Sequence, residues 1–197
     1  LSPTLKGIDV AVSSTIPNGS GLSSSAALEI SLLKGFSQLQ SLSIVPKEMA
    51  KIGQQIEHHF VGTQCGIMDQ MVSACGVSGQ AFFLDCESLQ TKSVPLFPNH
   101  TFIVIHSGST RKLSQGSYNE RKQETMLASK ILNVPSLRYA SLGQIKLIED
   151  PTIQIRAKHI ISENNRVIQA TSCLEENDAK QFGELMNLSH QSMRDDY

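Results

Sequence analysis

Pro17-Asn18-Gly19-Ser20-Gly21-Leu22-Ser23-Ser24-Ser25-Ala26-Ala27-Leu28-Glu29 is the stretch that decides how this chain is read. Before it, Ile8 to Ser14 alternate apolar and polar residues, a pattern that predicts a strand. After it, Ser23 to Gln40 is rich in Ala and Leu and opens on serines, which predicts a long helix. A Gly-x-Gly turn thus joins strand to helix. Glycines reach positive φ and let a ligand approach the backbone. The helix start adds unpaired amide N–H groups and about half a unit of positive dipole charge. With serine hydroxyls added, the loop suits a di- or triphosphate, and Gly19, Ser20, Gly21, Leu22, Ser23, Ser24, Ser25 and Ala26 are its candidate contacts. It is not a Walker A loop, which needs four residues between its glycines and then Gly-Lys-Ser/Thr. It is not the dinucleotide fingerprint either, because Ser24 stands where the third glycine belongs.

A second string, Glu57-His58-His59-Phe60-Val61-Gly62-Thr63-Gln64-Cys65-Gly66-Ile67-Met68-Asp69-Gln70, carries a carboxylate among apolar residues. Such a group is costly to bury unpaired. In phosphoryl transfer to a hydroxyl, an Asp so placed can orient the nucleophile and accept its proton. Equally, Asp69 could be an exposed acid at a helix start. Glu57 could share a magnesium ion with a loop serine, since magnesium takes one or two carboxylates plus phosphate oxygens; read alone, it is a surface glutamate. His58 and His59 are adjacent and lack the i, i+4 geometry of a zinc pair. Cys65 reads as a small packing residue rather than a nucleophile.

The rest of the chain predicts helices over Pro46–Phe60, Gly66–Ala74, Gly116–Leu132, Ile153–Glu175 and Asp178–Ser192. The apolar stripes are Met49, Ile52, Ile56, Phe60 on the first of these and Ile153, Ala157, Ile160, Ile161, Ile168 on the fourth. Strands are expected at Ser78–Cys86, at Thr91–Val94 paired with it, and at Thr101–His106, buried on both faces. The mixture is α+β. A boundary between two lobes, 1–92 and 93–197, is expected where Pro95, Pro98 and Asn99 punctuate the chain. Its 197 residues amount to one large domain or two small lobes. Lys plus Arg number 17 and Asp plus Glu 18, so there is no basic footprint for nucleic acid or an anionic membrane surface. No apolar run is long enough to span a bilayer. Four cysteines without Cys-x-x-Cys spacing suggest reduced thiols in the cytoplasm.

Taken together, the two strings resemble the galactokinases of the GHMP kinase superfamily. Pro-x-Gly-x-Gly-Leu-Ser-Ser-Ser-Ala is similar to the superfamily's phosphate loop. Glu57-His58 through Cys65-Gly66-Ile67-Met68-Asp69-Gln70 resembles the galactokinase branch, as do Ser117-Tyr118-Asn119-Glu120-Arg121 and Met186 to Asp196. The resemblance implies a two-lobe GHMP-type fold, with a ribosomal-S5-domain-2-like first lobe and a shortened second. It also implies ATP- and Mg2+-dependent transfer of the γ-phosphoryl to the anomeric hydroxyl of galactose. Carried over by position, Gly19 to Ala26 would cradle phosphate, and Ser25 and Glu57 would serve magnesium. Asp69 would be the catalytic acid–base residue, and Gly66, Asp69 and Tyr118 would contact the sugar. The family's opening Arg-x-Asn-Leu-Ile-Gly-Glu-His and its third, Gly-rich motif do not occur in the sequence. The expectation is therefore a piece lacking both ends of a longer, monomeric cytoplasmic enzyme, with negligible turnover on its own. Kinases of arabinose or galacturonate, and a non-catalytic sensor of galactose and ATP, are the alternatives.

Overall fold

The computed structural model describes residues 7–17, 19–105 and 115–197, and the side chains at 115–117 are not described. Asn18 and His106 to Ser109 lie outside these residues. Six α-helices and one hairpin account for most of the order: α1 (Ser24–Leu39), α2 (Pro46–Ile56), α3 (Met68–Cys75), α4 (Gln115–Ile131), α5 (Pro151–Glu176) and α6 (Ala179–Asp196), with strands β1 (Gln80–Leu84) and β2 (Thr91–Pro95) between α3 and α4. The architecture is α+β and mostly helical.

Local chemistry sets the helix ends. Pro46 occupies the first turn of α2, where its missing N–H costs nothing. Asp150 caps α5 by accepting from the N–H groups of Thr152 (2.8 Å) and Ile153 (3.1 Å), and Asn177 ends that helix at φ 57°. Asp178 then caps α6 through the Gln181 N–H at 3.0 Å. The hairpin is antiparallel, with Gln80 opposite Pro95 and Leu84 opposite Thr91. Asp85 holds its turn by accepting from the Glu87 and Ser88 N–H groups at 3.0 and 2.9 Å.

There are two apolar centres. Ala50 of α2, Ile67 and Met71 of α3 form one, covered by Phe82 and Leu84 of β1 and by Leu89. The larger one gathers Ala128 and Leu132 of α4, Leu137, Ile148, and Ile153, Ala157 and Ile161 of α5. Salt links join the parts: Arg138 grips Asp85 of the hairpin turn at 2.6 Å, and Lys92 of β2 pairs with Glu175 of α5.

Four sequence expectations change here. Residues 8–14 form no strand, and neither do 101–105. Val12 is 62% exposed and Ile105 85%. An alternating or apolar run marks a segment able to join a sheet, but a strand exists only where a neighbour takes its backbone hydrogen bonds. Neither segment has such a neighbour among the described residues. Phe60 is 86% exposed rather than on the buried stripe of α2, because the helix widens into a π-turn over Glu57–Val61 and shifts its face. Met49 is buried as the stripe predicts, Ile52 and Ile56 are half-buried, and the other buried positions are Ala50, Gly53 and Glu57. Ile168 is likewise exposed, while Ile153, Ala157 and Ile161 are buried as the spacing implies.

The α5–α6 contact contains a buried polar chain. His159 Nδ1 lies 2.9 Å from Ser192 Oγ, which donates to Asp196 Oδ2 at 3.0 Å, and the His159 ring stacks on Tyr197 with centroids 4.5 Å apart. Burial lowers the His159 pKa, and the Glu163 carboxylate opposes this in part. The neutral ring therefore fits the fold. Below about pH 6.5 the unfolded imidazole binds a proton that the native one resists, so this site's contribution to stability is full above that pH and is lost as pH falls through the native value. Thermal melts of the chain and of His159→Gln should show their stability gap shrinking between pH 7.5 and pH 5. A gap that stays constant or widens would contradict the assignment.

Candidate active site

The Gly–Ser loop folds as its glycines demand. Gly19 and Gly21 stand at φ 71° and 75°, and Ser23, before α1, also takes a left-handed conformation at φ 56°. Ser20 Oγ donates to the Pro17 carbonyl at 2.7 Å and braces the turn. Ser23 makes no side-chain cap, so it does not compete with a ligand for the first-turn amides of α1. Gly19, Gly21, Leu22 and Ser25 are exposed, Ser20, Ser23 and Ser24 are half-buried, and Ala26 is buried as the anchor of the helix. An open row of residues at a helix N-terminus, backed by one packed alanine, has the form of an anion seat.

The second string folds around a turn that returns the chain to α2. The Glu57 carbonyl accepts from the N–H groups of Gly62 (2.8 Å) and Thr63 (3.1 Å), and Gly62 supplies the φ of 82° that this reversal requires. The Cys65 carbonyl then accepts from Gln54 Nε2 at 3.2 Å and meets a His58 ring nitrogen at 2.9 Å. His58 is thus a structural tie to the Cys65 carbonyl. From the other half of the chain, α4 pins the same loop. The Gly66 N–H donates to Tyr118 Oη at 3.1 Å, the Gln64 N–H to Asn119 Oδ1 at 3.2 Å, and Lys122 Nζ to the Gln64 carbonyl at 3.3 Å. Gly66 and Tyr118, both expected to meet the sugar, are therefore neighbours. They line one cavity of about 580 Å³ together with Lys51, His58, Cys65 and Lys122. Burial pushes the Cys65 thiol up, which disfavours a thiolate and fits a packing role.

Asp69 is half-buried in the first turn of α3, where the helix dipole favours a negative side chain. It sits one turn beyond Gly66, and it is not among the residues lining the cavity. The loop residues 19–26 and Glu57 do not line that cavity either. Gly66 and Tyr118 are brought together, while Asp69, Glu57 and the loop residues 19–26 stand outside the cavity they line.

Glu57 is not a surface residue. It is 6% exposed and faces the interior of that unit. Beside it lies Glu29 of α1, whose carboxyl is pushed up to about 7, chiefly by burial and next by the Glu57 carboxylate, with Gln70 pulling the other way. Sequence reasoning passed over Glu29. Its one visible signal was an acid between Ala26 and Ile30, both on the buried face of α1. Gln70, 2% exposed, donates to the Cys65 sulfur at 3.8 Å, and its Oε1 has no donor; Glu29 Oε2 has none either. Among the described residues no three His, Cys, Asp or Glu side chains gather to hold a metal. One carboxyl oxygen, Glu29 Oε2, and the Gln70 amide oxygen lack donors beside the buried Glu57, an acceptor-rich spot whose chemistry fits a hard cation completed by phosphate oxygens.

Residues 1–77 match the family profile described as GHMP kinases N terminal domain. The chain is a homologue of the GHMP kinases. Within that class it is a galactokinase homologue: it is 41% identical over 97% of its length to the galactokinase of Pasteurella multocida (strain Pm70). It is 40% identical over 98% of its length to that of Roseiflexus sp. (strain RS-1). The crystal structure of Lactococcus lactis galactokinase complexed with galactose superposes with a TM-score of 0.83 at 34% identity, over 92% of this chain and 49% of that one. The chain spans about half the length of these relatives, 51% and 52% of the two curated proteins.

Gly53 is what lets α2 approach this cluster. A Cβ there would meet Gln70 Cγ at 3.1 Å, Ile30 Cδ1 at 3.3 Å and Glu29 Oε2 at 3.4 Å. Overpacking of this kind costs about 1–3 kcal/mol, against a helix-propensity gain of about 1 kcal/mol. Gly53→Ala should therefore lower stability in urea by roughly 1 kcal/mol. A midpoint equal to or above that of the unsubstituted chain would show the junction to be looser than described.

Proposed function

We propose that this chain forms the nucleotide-gripping and sugar-contacting part of a galactokinase. The reaction is transfer of the ATP γ-phosphoryl to the anomeric hydroxyl of galactose, yielding galactose 1-phosphate. The observation that carries the reading is the Tyr118–Gly66 hydrogen bond at 3.1 Å, which gathers two expected sugar contacts from distant parts of the sequence into one cavity. Homology to galactokinases over nearly the whole chain supports it.

In this reading Gly19, Ser20, Gly21, Leu22, Ser23, Ser24, Ser25 and Ala26 cradle the ATP phosphates through backbone N–H groups and hydroxyls. Ser25 and Glu57 would hold Mg2+, which when bound neutralises charge on the phosphates. Asp69 orients the sugar hydroxyl and accepts its proton as the new O–P bond forms. Gly66 and Tyr118 fix the sugar. Catalysis is then positioning and electrostatics, with no covalent enzyme intermediate required. The same proposal includes a two-lobe GHMP-type fold, with a ribosomal-S5-domain-2-like lobe over 1–92 and a second lobe from 93 onward. It also includes a monomer working in the cytoplasm. No helix among the described residues is long and apolar enough to cross a membrane.

ADP release coupled to galactose, arabinose and galacturonate tests the reading on the full gene product that carries this chain. Galactose should be the preferred acceptor. Asp69→Asn should lower kcat by about 10²–10⁴-fold, the usual worth of a positioned acid–base group. Galactose binding without turnover would favour a sensor, and an unchanged rate in Asp69→Asn would remove Asp69 from its role.

A further inference from the structure

Residues 64–66 lie between the π-turn and α3, in neither helix nor strand, and Gln64 and Gly66 are exposed. Side chains hold each of the peptide groups that lead into Gly66. The Gln64 N–H donates to Asn119 Oδ1 at 3.2 Å, and the Gln64 carbonyl accepts from Lys122 Nζ at 3.3 Å. The last peptide is gripped at both ends: its Cys65 carbonyl meets Gln54 Nε2 at 3.2 Å and a His58 ring nitrogen at 2.9 Å, and its Gly66 N–H reaches Tyr118 Oη at 3.1 Å. Three of these grips come from α4, which is anchored in the other apolar centre by Ala128 and Leu132. Tyr118 and Lys122, four residues apart, share a helix face and line the cavity with Gly66. Asn119 does not line it. Its contact with the site runs through the Gln64 peptide, and because that N–H is a donor, only the carbonyl end of the Asn119 amide can meet it.

We infer that Asn119 is a positioning residue for the sugar: by accepting the Gln64 N–H it fixes the loop peptide ahead of Gly66, and so holds Gly66 against Tyr118 at the cavity wall. This rests on Gly66 and Tyr118 being sugar contacts, as proposed above. Without the Asn119 oxygen, water takes the exposed N–H and the fold loses little. The loop, however, then samples conformations in which Gly66 stands away from Tyr118, and sugar binding must reorder it at a cost in affinity. A residue that served stability alone would leave galactose affinity unmoved.

The test is calorimetric titration of galactose, and separately of ADP, into the full gene product that carries this chain. Asn119→Leu keeps the size and the helix propensity without the acceptor, whereas Asn119→Asp keeps an oxygen where Oδ1 stands. Asn119→Leu should raise the galactose Kd about 3–10-fold, the worth of one ordinary hydrogen bond, and Asn119→Asp should stay within about twofold of the unsubstituted protein. ADP affinity should not change in either. Should the melt of Asn119→Leu show it unfolded, Asn119→Ala replaces it with the same expected loss. An unchanged galactose Kd in Asn119→Leu, an equal rise in Asn119→Asp, or an equal loss of ADP affinity overturns the inference. Tyr118→Phe, which removes the hydroxyl that meets Gly66, separates the two claims. If it weakens galactose binding while Asn119→Leu does not, only the role of Asn119 falls. If it leaves binding unchanged, or if the unsubstituted protein takes up no galactose, the sugar reading of the cavity falls and the role of Asn119 with it.

Discussion

Everything near the candidate site depends on how closely α1, α2 and α3 approach one another, and that approach depends on a hydrogen atom where Gly53 would otherwise carry a side chain. Helices in proteins usually pack with axes 8–10 Å apart, the distance being set by the side chains at the contact. Here the contact residue has none, and the space is taken by the stem of Gln70 and the carboxyl of Glu29. The result is a polar junction inside an apolar one. Met71, Ala50 and Ile67 supply the burial that offsets the desolvation of Glu57 and Gln70. Without that apolar support the acidic residues would turn outward to water.

The ion pairs contribute less, and unevenly. Arg194–Asp195 and Lys51–Glu48 are exposed and worth little in water. Arg156 is different. It is largely buried, bonds Glu124 at 3.0 Å and the Asp196 carbonyl at 2.7 Å, and lies over the Tyr197 ring. Arg121 reaches the same Glu124 at 2.8 Å and the Tyr197 carbonyl at 2.8 Å. One carboxylate and the end of α6 therefore tie α4 to α5. That tie holds the helix whose first turns present Tyr118, Asn119 and Lys122 to the loop at residues 64–66.

Much of this was legible in the sequence, for reasons that can be stated residue by residue. Asp178 announced a helix start because capping is local chemistry: one side chain and the next few amides decide it. Gly19 and Gly21 announced a turn because positive φ is a property of single residues. What could not be read was anything that depended on a distant partner. The pattern of residues 8–14 says that one face is apolar, but not that a neighbouring strand is present. Phe60 was misplaced because a π-turn shifts the helical face without changing the local pattern. Glu57 read as a surface acid because its burial is supplied by α1 and α3, and Glu29 was passed over for the same reason. The pairing of Gly66 with Tyr118, fifty-two positions apart, was visible only through family likeness.

The two sides of the site are held by one short run of contacts. Glu57 meets Glu29, and Glu29 meets the Gln70 amide. Gln70 also donates to the Cys65 sulfur, and Cys65 is held through its carbonyl by Gln54 and His58. The next residue, Gly66, turns its N–H to Tyr118. Asp69 stands on the same helix as Gln70, one position before it. A shift of α3 along its axis would therefore move the carboxylate proposed to act on the sugar hydroxyl, the amide facing the carboxyl pair, and the loop that meets Tyr118, all together. Phosphoryl transfer gains most from holding donor, acceptor and cation in fixed relation. A small helix anchored by Met71, with polar groups on successive positions serving different parts of the reaction, supplies that relation with few residues. This explains why an amide at position 70 is buried at the cost of an unpartnered oxygen. Its neighbours on both sides need it where it is, and an apolar residue of similar size would loosen the link between them.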